Sequence, residues 1–481
     1  MYIAQRGDAY GKKNRLMEQV ISAINDFLWT YILLAALLGC GVWFTWRTRF
    51  VQFRMIGEMI RLLGDSAKKF DHSKRHISSF QAFAVSLASR VGTGNLAGVA
   101  TAIALGGPGA VFWMWVIALI GAATAFVEST LAQLYKRPHT DSFIGGPAYY
   151  ISKGMHNRWM AALFAVLITI TFALSNNSVQ SNTICSAMQT AFGMSPVVVG
   201  IVLSVITLFV VFGGIQRVAK VSSVVVPIMA IGYLIISIVV VITNIGLVPH
   251  VLRVIIENAF GLGPAMGGGL GMTIIYGVKR GLFSNEAGEG SAPNAAATAA
   301  VSHPVKQGLI QALGVFTDTL VVCSCTAFII LISGLYEIEG LNGIVLTQSA
   351  LESEIGYSGP VFIAIAIFLF AYSSIIGNYY YGEANVRYLS DNRWVLTVFR
   401  VLSGGVMVMF GALATLETVW NIVDICMALL TACNLIAIIT LGKYAFRLLD
   451  DYQKQKRNGI KSPEFHRSSM PEIAEDIDCW E

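Results

Sequence analysis

Stretches of about 20 consecutive apolar residues recur along this chain from residue 27 to residue 442. Each is long enough to cross a hydrocarbon core ~30 Å thick. A water-soluble protein would have to hide all of them in one interior, while the chain offers little polar surface to cover them. Only 13% of the 481 residues are charged and mean hydropathy is +0.65, where a soluble domain carries about a quarter charged residues. The chain therefore reads as an all-α polytopic membrane protein. The first apolar stretch, 27–46, is too long for the apolar region of a leader and lacks a small-residue cleavage site, so it is expected to be a membrane span. Six of the seven cysteines lie within apolar stretches, without CxxC spacing, which argues against both a disulfide framework and a zinc site.

Eleven spans are expected. The first six cover 27–46, 80–104, 109–134, 159–185, 196–213 and 221–243. The remaining five cover 269–300, 307–334, 360–386, 394–413 and 418–442. Two differ from the rest, because glycines interrupt them midway: Gly92-Thr93-Gly94 in 80–104 and Gly288-Glu289-Gly290 in 269–300. Basic residues set the orientation. Loops that such a topology places on one face hold 24 of the 33 Lys and Arg, and the opposite face holds five. The positive-inside rule then puts the N-terminal segment 1–26 outside and the tail 443–481 in the cytoplasm. The loop 335–359 agrees, having Glu337, Glu339, Glu352 and Glu354 but no Lys or Arg. This bias accounts for the net charge of +5 without any nucleic-acid partner. The tail from about Asp450 is charged and patternless, and is expected to be disordered or to lie on the surface.

Setting the first span aside leaves two sets of five, 80–243 and 269–442, that enter the bilayer from opposite sides. Each opens with a glycine-broken helix. That is the pattern of a 5+5 inverted repeat, and matched broken helices point to a transporter's binding site. Bare peptide groups survive within hydrocarbon only where they line a cavity or bind something. Amides freed at a half-helix N-terminus suit a carboxylate, and carbonyls freed at the preceding end suit a cation. Glycine-rich contact between spans is the competing explanation for a lone break; two matched breaks with polar neighbours outweigh it. For the second break, Lys279 and Arg280 leave open a loop at the cytoplasmic face.

Several motifs carry a resemblance. The run Gly92-Thr93-Gly94-Asn95-Leu96-Ala97-Gly98-Val99-Ala100, with Gly106-Gly107-Pro108-Gly109-Ala110, is similar to the alanine/glycine:cation symporter family, as are Gly-Gly-Pro-Ala at 145–148 and Phe-Ser-Asn-Glu-Ala-Gly-x-Gly-Ser-Ala-Pro at 283–293. The resemblance extends over nearly all of 27–445. It implies the fold of the bacterial leucine transporter and import of a small neutral amino acid into a bacterial cell. It also implies roles for single positions. Thr93 and Gly94 match the unwound turn that holds the substrate carboxylate, and Gln180 matches a pocket glutamine. Phe283, Ser284 and Asn285 match the second unwound segment facing the substrate. Ser373 and Ser374, with carbonyls of Ala88 and Val91, match a sodium site. Asn378 departs from the pattern, since many alanine carriers have tryptophan there. A roomier pocket that admits glutamine as well as alanine or glycine is expected from that change. Sodium as coupling ion suits hydroxyl and carbonyl oxygens, while proton coupling stays open. An ion channel is the less favoured alternative. HExxH, GxSxG and P-loop motifs are all missing, which argues against an enzyme or fused ATPase.

Overall fold

Hydrophobic side chains face outward along much of this molecule, as they do only when the surroundings are themselves apolar. Val224, Ile228, Ile231, Ile235, Ile238 and Ile242 recur at helical spacing on one helix and are all exposed. In water such a stripe would be a large unpartnered patch; against lipid it is the expected outer face. The computed structural model describes residues 25, 27–68, 77–139, 142–262 and 269–480. The expected N-terminal segment 1–26, Asn25 apart, lies outside the described residues.

Among the described residues, eight helices are long and apolar enough to cross a bilayer. They are α1 (Leu28–Arg47), α5 (Ala110–Leu134), α7 (Arg158–Phe192), α9 (Gly214–Thr243), α13 (Pro304–Ser333), α15 (Ser358–Leu389), α16 (Arg393–Leu413) and α17 (Leu416–Arg457). The expected span 196–213 is the shorter apolar helix α8 (Pro196–Val211). Between these lie α2 (Ile56–Lys68), α6 (Pro147–Gly154), α10 (Val248–Ala259) and α14 (Gly343–Ile355). A two-stranded antiparallel hairpin pairs β1 (Arg137–His139) with β2 (Ser142–Ile144).

The two remaining expected spans are broken where the glycines predict. The first consists of α3 (Ser79–Arg90) and α4 (Gly94–Gly106). Ser78 and Gln81 begin α3 with a reciprocal capping box. It ends at Val91, whose ψ of 90° is extended rather than helical. The second consists of α11 (Gly269–Asn285) and the short α12 (Ala292–Ala296). Between them the chain turns left-handed at Glu286, Gly288 and Gly290, with φ of 57°, 95° and 79°. Glycine takes that conformation freely, whereas Glu286 adopts it against a steric cost. Residues 281–299, the turn included, are buried within the protein.

Two straight helices hold the breaks in place. α5 packs against α11, α12 and α13, and α15 packs against α3, α7 and α9. Wide i→i+5 turns interrupt α7 at Thr169–Asn176 and α13 at Phe316–Cys323. Such turns are frequent at functional sites, and here they carry Asn176 and Asp318 toward the breaks.

The C-terminal end corrects one expectation. α17 has 42 residues, about 63 Å at ~1.5 Å per residue, so it runs well past any ~30 Å core. Residues 460–480 then fold back on the bundle and bury Phe465, Met470, Ile473, Ile477 and Trp480. Apolar residues too sparse for a periodic pattern suffice to anchor an irregular segment. All seven cysteines are unpaired.

Candidate functional site

At the first break, the end of α3 presents carbonyls to a pair of hydroxyls on α15. Ser374 Oγ lies 2.8 Å from Ala88 O and 3.4 Å from Val91 O, and Ser373 Oγ lies 3.4 Å from Ala88 O. Both hydroxyls also reach Phe370 O, at 2.8 and 3.1 Å. The structure thus brings the four nominated residues together, while the bonds to Phe370 O are the back-bonds that a helical serine makes to the carbonyl three or four residues earlier.

Gly92 explains how the approach is possible. A Cβ there would overlap Ser374 Oγ and come within 2.8 Å of Gln180 Oε1. The Ser374 hydroxyl and the nominated pocket glutamine therefore close on the same face of the turn, where a side chain would otherwise stand. Thr93 N–H donates to Gln180 Oε1 at 2.9 Å, while Gln180 Nε2 donates to Asn176 Oδ1 at 2.9 Å. The Gly92 amide donates to Asn95 Oδ1 at 2.9 Å. Freed backbone donors are thus met by side-chain amides, as burial demands.

The second break meets the first at Gly94. A Cβ on Gly94 would lie 3.1 Å from both the Phe283 ring and Ser284 Cα. Asp318 on α13 joins the two sides: Oδ1 accepts from Asn95 Nδ2 at 2.6 Å and Oδ2 from Ser284 Oγ at 2.8 Å. The sequence marked Asp318 only as a charge within a span. Phe283 packs against Trp420 of α17 with ring centroids 4.6 Å apart, a partner the motif could not reveal.

The side chains of Asn285 and Asn378 form no hydrogen bond with another nominated residue among the described residues. Asn285 Oδ1 accepts from Ala287 N–H at 3.0 Å within its own turn, and its Nδ2 is buried without a partner. Ser89 Oγ is 2.6 Å from both Asn378 Oδ1 and Glu286 Oε1. One hydroxyl proton cannot serve two acceptors. Turning the Asn378 amide, so that its unpartnered Nδ2 donates to Ser89, satisfies all three groups.

Carboxylates and guanidinium groups surround this centre. Glu128 of α5 accepts from Gly288 N–H, Gly290 N–H and Asn434 Nδ2 at 3.3, 3.2 and 2.9 Å. It thereby occupies the amides that the second break frees. Asp424 receives Arg280 through two bonds of 3.1 and 2.9 Å, and Lys279 Nζ lies 2.7 Å away. The Arg280 guanidinium also stands 4.0 Å above the Trp420 ring. Arg90, whose partner the sequence left open, donates to Gln311 O at 3.1 Å. Glu383 pairs with Arg387 at 2.6 Å and Arg400 at 3.3 Å.

Comparison with known proteins identifies the family. The model of the sodium:alanine symporter family matches residues 14–467. The chain belongs to that family. It is therefore a multi-pass membrane carrier, a sodium-coupled symporter of small amino acids rather than an enzyme, as the motifs implied. It is 50% identical over 468 residues to a probable sodium/glutamine symporter, GlnT, of Bacillus subtilis, covering 97% of this chain and 96% of that protein. It is 36% identical over 452 residues to the sodium/alanine symporter AgcS of Methanococcus maripaludis, covering 92% and 99%. A solved structure of a Na+-coupled sialic acid symporter aligns with 84% of the carrier and 86% of its own chain, at TM-score 0.46 and 14% identity.

Proposed function

We propose that the two breaks form a single chamber in which sodium and a small neutral amino acid are carried together by alternating access. Sodium is held by Ala88 O, Val91 O, Ser373 Oγ and Ser374 Oγ. The substrate is held by Thr93, Gly94, Gln180, Phe283, Ser284, Asn285 and Asn378. The observation that carries this reading is the contact made by Gly92. Ser374 Oγ and Gln180 Oε1 both crowd the one position where its side chain would stand, so one short turn serves both ligands. Hard oxygen donors suit an alkali cation. The Thr93 amide suits a carboxylate oxygen, which would replace Gln180 Oε1 there. The neighbouring Asn285 Nδ2, buried without a partner, can donate to a polar substrate atom, and the turned Asn378 amide leaves its Oδ1 to accept from one.

The architecture that fits this reading has eleven spans. A first helix, 27–46, precedes two inverted five-helix repeats, 80–243 and 269–442. The N-terminal segment lies outside and the tail in the cytoplasm of a bacterial cell, as the basic loops favour.

Sodium-gradient-driven uptake into proteoliposomes tests the cation site. Ser374→Ala is expected to raise the sodium concentration for half-maximal uptake at least ten-fold, with much of the maximal rate retained. Unchanged sodium dependence would rule the hydroxyl pair out as ligands.

Substrate choice centres on Asn378. The similarity to a probable glutamine symporter supports a pocket open to a side-chain amide, in addition to alanine or glycine. Asn378→Trp is expected to abolish competition by glutamine while sparing that by alanine. Equal competition profiles before and after the substitution would refute the assignment.

A further inference from the structure

The folded segment 460–480 lands on the seam where the two broken helices end. Ala300 N–H, just beyond α12, donates to Ile77 O, just before α3, at 3.0 Å. This single bond ties the second broken helix to the start of the first. The same stretch is held by α5 and its extension: Gln133 Nε2 donates to Ala299 O at 3.1 Å and Lys136 Nζ to the same carbonyl at 3.0 Å.

Residues 460–480 fasten to these groups in particular. Trp480 Nε1 donates to Gln133 O at 3.2 Å, and its ring lies 4.7 Å from the Lys136 ammonium. Phe465 N–H donates to Ser302 O at 2.8 Å, and Ser302 Oγ donates to Pro463 O at 2.7 Å. Lys306 reaches Ser462 Oγ at 2.8 Å. Asp478 pairs with Arg137 at 3.2 Å and with Lys153 at 2.5 Å. Phe465 and Trp480 stack edge to face, centroids 5.5 Å apart, so the two ends of the segment brace each other.

We propose that residues 460–480 form a strap that holds this end of the carrier shut and lifts when the chamber opens toward that face. A tail lying on the surface for want of anything better would scatter its contacts. Here Phe465, Pro463 and Trp480 fasten to Ser302 and to the Gln133–Lys136 clamp, while Asp478 and Glu472 pair with Arg137, Lys153 and Arg447 alongside. The strap is also suited to letting go. It rests on five apolar anchors and exposed or half-buried ion pairs, and surface pairs of that kind add little. Beneath it, burial pulls the Lys136 ammonium down to about 7, so part of what docking gains is spent on stripping water from an amine.

The proposal rests on the alternating-access reading, and two native cysteines let the two ideas be tested apart. Cys479 lies within the strap, half-buried. Cys323 lies in the chamber, 3.3 Å from Asn95 Nδ2 and 3.2 Å from Ser284 Oγ. A membrane-impermeant maleimide is applied from the strap's face to the full-length carrier, to Trp480→Ala and Trp480→Phe, and to a chain ending at Gly459. Labelling is read peptide by peptide by mass spectrometry. The shortened chain and Trp480→Ala are expected to label Cys323 at least ten-fold faster than wild type, with Trp480→Phe close to wild type. Cys479 should label faster in Trp480→Ala as well. Wild-type labelling of Cys323 in the shortened chain, or in Trp480→Ala with Cys479 freely labelled, would overturn the strap. Absence of sodium-driven uptake by the unaltered carrier would count against the alternating-access reading instead.

Discussion

Asp424→Ala is expected to cost the carrier about 3–5 kcal/mol of stability, because it leaves the buried Arg280 guanidinium without the carboxylate that it meets through two bonds. Asp424, Lys279 and Arg280 have side chains only 2%, 8% and 5% exposed, and Asp424 is the carboxylate that both cations reach. Its backbone carbonyl also accepts from Trp29 Nε1 at 3.2 Å, so the same turn of α17 anchors α1. A loss of that size removes much of the ~5–15 kcal/mol that holds an ordinary domain together. It should appear as a large fall in melting temperature in detergent and as aggregation on size exclusion. Asp424→Asn should lie between alanine and wild type, since it keeps the acceptor and loses the charge. Converting Lys279 and Arg280 to methionine in the Asp424→Ala background should recover most of the loss. An Asp424→Ala protein that melts with wild type would show that solvent or lipid headgroups reach the pair.

Gly92→Ala is expected to reduce uptake at least about 100-fold while leaving the protein in the membrane, some 2.7 kcal/mol at ~1.4 kcal/mol per decade. The added methyl meets Ser374 Oγ and Gln180 Oε1, and neither is the free end of a flexible chain. Ser374 Oγ stands within 3.4 Å of three carbonyls and donates its one proton among them, and Gln180 is fixed by the Thr93 amide and Asn176. The substitution must push apart the groups proposed to bind sodium and substrate. Gly232→Ala provides the control, because a Cβ there meets nothing within 4 Å. Uptake and membrane abundance measured together separate the two effects. Normal uptake by Gly92→Ala would mean that the turn moves freely and does not define the site.

The positions of the breaks were legible because glycine at membrane depth has few uses, and both glycine triplets stand at interruptions in the structure. The serine pair was legible through the motif resemblance, and the structure sets it against Ala88 and Val91. Asp318 was not, because a lone carboxylate in a span has the same appearance whether it pairs with arginine or bridges Asn95 and Ser284. Nor was Trp420, which stacks on Phe283 from 137 residues away. For the tail, disorder and a place on the surface both stayed open, and the structure has it on the surface with five side chains anchored. Its anchors Phe465, Met470, Ile473, Ile477 and Trp480 follow no helical or strand period, so only their burial reveals them.

Read alone, the amino-acid order established the solvent, the helices and the two places where helices must fail, because hydrocarbon penalises every unpaired peptide group and each of these features is local. Which oxygens face one another across those failures, which carboxylate answers which cation, and where residues 460–480 come to rest were decided by tertiary packing. Those pairings join residues hundreds of positions apart, and their energies depend on distance and burial, which a linear pattern does not contain.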